Sequence, residues 1–193
     1  MPQIARESLL SLEAYARARN DFRARAIGHK RLRTVHIGEH VTLQFEDELT
    51  VRYQVQEMLR IERIFEEEGI RGELDAYNPL IPDGSNWKAT MLLEYPDPDE
   101  RRARLAELKG VERSVWVQVE GCERAHAIAD EDLERENAEK TSSVHFLRFE
   151  LRPEMVAALR RDANLSMGVD HPRYQASVQI PAQTRASLAE DLA

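Results

Sequence analysis

Cysteine is almost absent from this chain. A single Cys122 in 193 residues rules out an intramolecular disulfide and any Cys-x-x-Cys zinc or iron–sulfur motif held by the chain alone. Beside Gly121 it reads as an incidental thiol in a turn. Long apolar runs are also missing: no window approaches the roughly 20 residues that a bilayer-spanning helix needs. The opening Met-Pro-Gln-Ile-Ala-Arg-Glu lacks a secretory signal's apolar stretch, so the expected location is cytoplasmic.

Signature motifs are scarce as well. His29, His36, His40, His126, His145 and His171 show no ligand spacing on a helix, and His36 and His40 flank the helix-breaking Gly38. A di-iron bundle would want Glu-x-x-His, but the second helix offers Glu57-x-x-Arg60. There is no Gly-x-Ser-x-Gly elbow, no Gly-x-Gly-x-x-Gly and no P-loop. The reading therefore calls for no metal and no cofactor.

What is present is ordinary for a globular protein. With 42% hydrophobic and 32% charged residues the chain should bury a core and stay soluble, and 193 residues suit one domain. Within it, residues 1–40 form a largely helical segment packing on a body of residues 41–193. A net charge of −8 argues against general nucleic-acid binding, although residues 1–40 are rich in arginine. The plain account is a basic first helix lying on an acidic body.

The periodicity predicts a first helix over residues 8–33 and a second over residues 49–68, capped by Asp47 or Thr50 and stopped by Gly69. Residues 70–77 make a short helix. Val41, Leu43 and Phe45 alternate with polar residues in a half-buried strand. Further strands are expected at 88–95, 115–119, 124–129, 143–151, 165–169 and 174–180, with helices at 99–108, 153–161 and 181–192. The fold class is α+β: an antiparallel sheet packed against a long N-terminal helix pair and shorter helices.

On a helical wheel started at Val51, Gln54 and Glu62 fall inside the apolar arc with Val55, Met58 and Phe65. A carboxylate aimed at the core needs a partner, and Arg19 and Arg23 lie within the apolar arc of the first helix. His145, sharing a strand face with Leu147 and Phe149, is expected to be buried. Arg19, Arg23, Gln54, Glu62 and His145 are thus the candidate ligand-binding residues, either as a structural ion pair or as a pocket for a small anion. No catalytic residue is assigned.

Several blocks carry a resemblance. The run His40-Val-Thr-Leu-Gln-Phe-Glu, the helix from Tyr53 to Phe65, the loop Tyr77-Asn-Pro-Leu-Ile-Pro-Asp-Gly, the strand Ser143-Val-His-Phe-Leu-Arg-Phe and the turn Val169-Asp-His-Pro-Arg-Tyr resemble an uncharacterised bacterial family known only as a domain of unknown function. The resemblance spans nearly the whole chain. It implies a redox or peroxide-defence setting beside rubrerythrin-like proteins and iron–sulfur oxidoreductases, and so a redox-enzyme partner. The expected function is a non-enzymatic accessory or binding protein. A small-anion-binding protein or enzyme using an Arg/Glu/His pocket is the alternative. The strand count and its open edges are compatible with a homodimer.

Overall fold

A computed structural model describes residues 3–193. In chain order the elements are α1 (Leu12–Leu32), β1 (Thr34–Ile37), β2 (Val41–Phe45), α2 (Glu48–Ile61), α3 (Glu67–Tyr77), β3 (Asn86–Leu93), α4 (Pro98–Glu107), β4 (Val115–Val119), β5 (Ala125–His126), β6 (Ile128–Ala129), β7 (Val144–Glu150), α5 (Pro153–Leu159), β8 (Leu165–His171), β9 (Tyr174–Gln179) and α6 (Ala182–Ala189). The fold is α+β, with the strands split between two antiparallel sheets. One has the order β1-β2-β3-β7-β6, the other β5-β4-β8-β9. Among the described residues, no helix is long and apolar enough to cross a membrane.

The two sheets pack face to face because each strand alternates. Val41, Leu43 and Phe45 on β2, Trp87, Ala89 and Met91 on β3, and Leu147 and Phe149 on β7 turn to one side of the first sheet. They meet Val115, Val117, Val119, Leu165, Met167 and Val169 from the second. The chain changes sheets within a few residues, since β5 pairs with β4 and β6 pairs with β7 on either side of buried Ala127. Tyr174 ties the two sheets together. Its hydroxyl donates to the Ile37 carbonyl at 2.6 Å and accepts from the His40 amide at 3.0 Å. Gly38 makes room for it, with left-handed φ and no side chain where a Cβ would stand 2.6 Å from that hydroxyl.

A second, smaller core lies within the N-terminal helices, where Ile4, Leu9, Val51, Val55, Leu59, Ile70 and Leu74 meet. Two amide side chains strap the leading segment down. Asn78 exchanges two hydrogen bonds with the backbone of Ile4, and buried Gln56 does the same with Leu10. The first helix starts at Leu12, with Ser11 as its cap.

The stretch 49–68 is not one helix. Asp47 caps α2 in a box with Thr50, as expected, but α2 ends at Ile61. Arg63 takes left-handed φ (56°), and the Ile64 amide bonds back to the Leu59 carbonyl at 2.9 Å. This is the Schellman ending, built on an arginine where glycine is usual. Gly69, expected to stop the second helix, lies inside α3 instead. Its role is close contact: an added Cβ would stand 2.6 Å from Ile64 Cγ2.

Buried Arg33 joins the end of α1 to the C-terminus. Its guanidinium donates to the carbonyls of Phe45 (3.2 Å), Glu46 (3.1 Å) and Ser187 (2.9 Å) and to the Asp191 carboxylate, and lies 3.5 Å from Asp47. Trp87 adds an indole bond to the Leu188 carbonyl at 2.8 Å. Together they dock α6 against the sandwich.

Candidate functional site

The outward face of the first sheet lies partly beneath the helix layer, with Gln44, Thr90, Leu92, Val144 and Phe146 half-buried and His36 exposed. Register aligns its outward residues in rows across three strands. Gln44 stands opposite Thr90 and Thr90 opposite Phe146, while Leu92 stands opposite Val144. Above these rows α1 contributes Lys30, α2 contributes Val51 and Gln54, and α3 with the turn after it contributes Tyr77 and Leu80. The layers do not close completely. A cavity of about 350 Å³ remains between them, within the ~300–1,000 Å³ range of small-molecule sites.

Glu46 is the carboxylate of this cavity. It follows β2 directly and is buried. The Thr50 hydroxyl donates to its Oε2 at 2.6 Å and the Thr90 hydroxyl to its Oε1 at 2.9 Å. Two neutral donors hold it, and no cation pairs with it among the described residues. Among the described residues Lys30 is the one cation lining the cavity, its ammonium 6.0 Å from the centre of the Tyr53 ring. Gln44 and Gln54 add carboxamides, while Val51, Leu80, Leu92, Val144 and Phe146 supply an apolar wall.

The sequence-derived candidates do not converge. Of the five, Gln54 alone lines the cavity. Glu62 is the C-cap of α2 and is exposed, because the buried side of the helix runs through Val51, Val55, Gln56 and Leu59, while Ile61 beside it is exposed as well. Arg19 instead clamps Glu57 through two bonds of 2.7 and 2.9 Å, and Tyr15 donates to the same carboxylate at 2.8 Å. The Arg19 bonds hold the Glu57 carboxyl down at about 2, and burial drives the Tyr15 phenol above its ordinary value. The helix pair therefore has an ion pair, at Glu57 and not at Glu62, where the wheel placed it. Arg23 is exposed.

His145 is fully buried, as the alternation indicated, but on the face opposite Val144 and Phe146 and therefore away from this cavity. Its Nδ1 meets Asp130 Oδ2 at 2.6 Å, and its Nε2 meets the Ser142 carbonyl at 3.0 Å and Thr141 Oγ1 at 3.1 Å. Both ring nitrogens are occupied within the protein, which makes it a structural linchpin for the loop before β7.

Lys30, Gln44, Glu46 and Thr90 were not among the sequence candidates. Alternation did set Gln44 and Glu46 on the polar face of β2. Only the helix layer above turns that face from surface into cavity wall.

The family described as Protein of unknown function (DUF3501) matches residues 3–192. The chain belongs to that family. A crystal structure of a protein of unknown function from Burkholderia pseudomallei K96243 is similar to it over 100% of both chains, with 55% sequence identity and a TM-score of 0.95. No curated protein matches. The family thus supplies the fold and leaves the chemistry of the cavity to be read from its walls. Among the described residues no three His, Cys, Asp or Glu side chains gather as a metal site.

Proposed function

We propose that this protein is a non-enzymatic binding protein for a small organic anion, held in the cavity between the helix layer and the first sheet. The observation that carries the reading is the lining itself: one cation, Lys30, and two carboxamides beside an apolar wall of Leu80, Leu92, Val144 and Phe146. Few convergent polar groups on an apolar surface are what orient a small ligand. Lys30 would take the anionic group, Gln44 and Gln54 its remaining acceptors, and Phe146 the body of the molecule. Glu46 favours a ligand that also carries a donor, because a bare carboxylate beside it would be repelled. Its two oxygens are each taken up by a hydroxyl donor of the protein, Thr50 and Thr90.

The sequence-based alternative is a pocket between the first two helices and the sheet using Arg19, Arg23, Glu62 and His145; the reading proposed here uses Lys30 as the anchor and keeps only Gln54 of the sequence candidates. The redox-enzyme partner and the homodimer expected from the sequence rest on the family resemblance and on the sheet edges; the cavity reading stands without either.

Saturation-transfer NMR against a panel of small carboxylates and phosphates tests it, with Leu92→Trp to fill the cavity and Lys30→Met to remove the cation. At least one compound should give transfer that both variants abolish. Transfer from no compound, or transfer unaffected by Leu92→Trp, would refute the reading.

A further inference from the structure

The first cavity does not end at Phe146. A neighbouring cavity of about 560 Å³ shares Phe146 and Leu80 with it as common walls. Both lie over the outward face of the first sheet, and register fixes their order. Thr90 and Lys88 are two apart on β3 and so share that face. Thr90 stands opposite Gln44 and Phe146, and Lys88 stands opposite Arg148. Beyond Phe146 the lining continues with Ala76, Pro79, Lys88 and Arg148.

Each cavity has one lysine that no carboxylate holds. Lys30 and Lys88 are half-buried, and neither takes part in an ion pair among the described residues. The Lys88 ammonium donates to the Pro79 carbonyl at 2.5 Å. That bond is exposed, so the remaining N–H donors face open space. Burial holds the Lys88 pKa below the ordinary lysine value; Arg148 adds to the fall, while Asp83, Glu131 and Glu150 oppose it. These three carboxylates are occupied elsewhere. Arg148 clamps Glu131 through two 2.7 Å bonds and also holds Glu150, and Asp83 accepts from the Ser85 amide and hydroxyl at 3.0 and 2.8 Å. Of the other acids in the lining, Asp132 is held by Arg135 at 2.5 and 2.6 Å, and Asp75 is exposed, where water screens it.

The lysines stand at opposite ends of an apolar passage. The Thr34 hydroxyl lies 2.7 Å from the Lys30 carbonyl and 2.9 Å from Gln44 Oε1, which sets Lys30 at the Gln44 end. Two residues along the strand and one strand across put the Gln44 and Lys88 positions roughly 8 Å apart, the reach of a diacid of about eight carbons. We propose that the ligand is an elongated dianion, with one acid group on Lys30, the other on Lys88 and an apolar middle against Leu80 and Phe146. This rests on the anion-binding reading of the first cavity and names the class of molecule that fills it. A donor beside the first acid group meets Glu46, so a long-chain α-amino diacid carries every group the walls call for.

Calorimetry of the full chain with α-aminosuberate and α-aminooctanoate isolates the far end, because the two acids share head and chain length and differ only in the terminal carboxylate. α-Aminosuberate should bind at least about tenfold tighter, the worth of one hydrogen bond between charged groups. Lys88→Met should bring that ratio close to one, and Lys30→Met should weaken both acids. Glutamate, too short to reach Lys88, should bind more weakly than α-aminosuberate. The proposal is overturned if the preference for the diacid survives Lys88→Met, or if glutamate binds as tightly. Equal binding of the two eight-carbon acids, lost in Lys30→Met, overturns the dianion alone and leaves the anion-binding reading in place. Binding of neither overturns the dianion as well, and the panel of small anions then decides the first reading separately. The wild-type comparison is decisive even where Lys88→Met does not fold.

Discussion

Replacing Arg33 with methionine should be among the most damaging single changes in the protein, and its cost should depend on pH. Methionine keeps most of the stem's volume and removes the fork. Three buried carbonyls, of Phe45, Glu46 and Ser187, then lose a charged donor, and Asp191 loses its counter-charge. Removing one partner of a buried ion pair costs about 3–5 kcal/mol, and the stranded carbonyls place this case toward the upper end. Burial lifts the Asp191 carboxyl to about 6 in the intact protein, against the pull of Arg33. Without Arg33 that carboxyl rises further.

A group whose folded pKa is raised stabilises the fold fully below its unfolded pKa, and that contribution is lost as pH rises through the folded value. In the wild type the loss for Asp191 falls between the ordinary aspartate value of 3.8 and about 6. In the variant it continues above 6, at about 1.4 kcal/mol per pH unit at most. Asp47, also facing Asp191, adds to the rise, while His29 opposes it, and both remain in either protein. Urea unfolding at pH 5 and pH 8 should therefore show a larger loss for Arg33→Met at pH 8, and Asp191→Asn in the same background should shrink the difference. An equal loss at both pH values, or a loss below about 1 kcal/mol, would refute the reasoning.

Two neighbouring glycines in α3 should respond in opposite directions. Gly69→Ala should destabilise by about 1–3 kcal/mol through the clash with Ile64, whereas Gly72→Ala meets nothing within 4 Å and should stabilise by up to about 1 kcal/mol; thermal melts of the two variants check the contrast. Arg63→Gly, at the left-handed end of α2, should raise stability by roughly 1 kcal/mol; a fall would mean that the arginine makes a contact more valuable than the strain it carries. Glu57 is held at about 2, below the ordinary glutamate value of 4.5, so its contribution is present above pH 4.5 and lost as pH falls toward 2. Glu57→Gln should accordingly lower stability at pH 7 and flatten the acid limb of the stability–pH curve; an unchanged acid limb would discount the Arg19 clamp.

Much of this architecture is written locally. The alternation of Val41, Leu43 and Phe45, the cap at Asp47 and the proline that opens α5 each act over a few residues, so α+β class and most element positions follow from the chain alone. The burial of His145 and its face were legible for the same reason. Glu62 was misplaced because the wheel counted Ile61 and Phe65 as core, whereas both are exposed and the buried side runs through Val51, Val55 and Leu59. The end of α2 depends on Arg63 adopting a backbone conformation that glycine usually signals, and nothing in the residue type announces it.

Charge pairing was legible only as a class. The sequence set an arginine of α1 against a glutamate of α2, and the tertiary crossing of the two helices chose Glu57 over Glu62. The split into two sheets, the row of Gln44, Thr90 and Phe146, and the roof of Lys30 and Gln54 above it were decided by tertiary structure alone. Alternation says which residues share a face, but a covering layer drawn from distant sequence decides whether that face meets water, protein or a cavity.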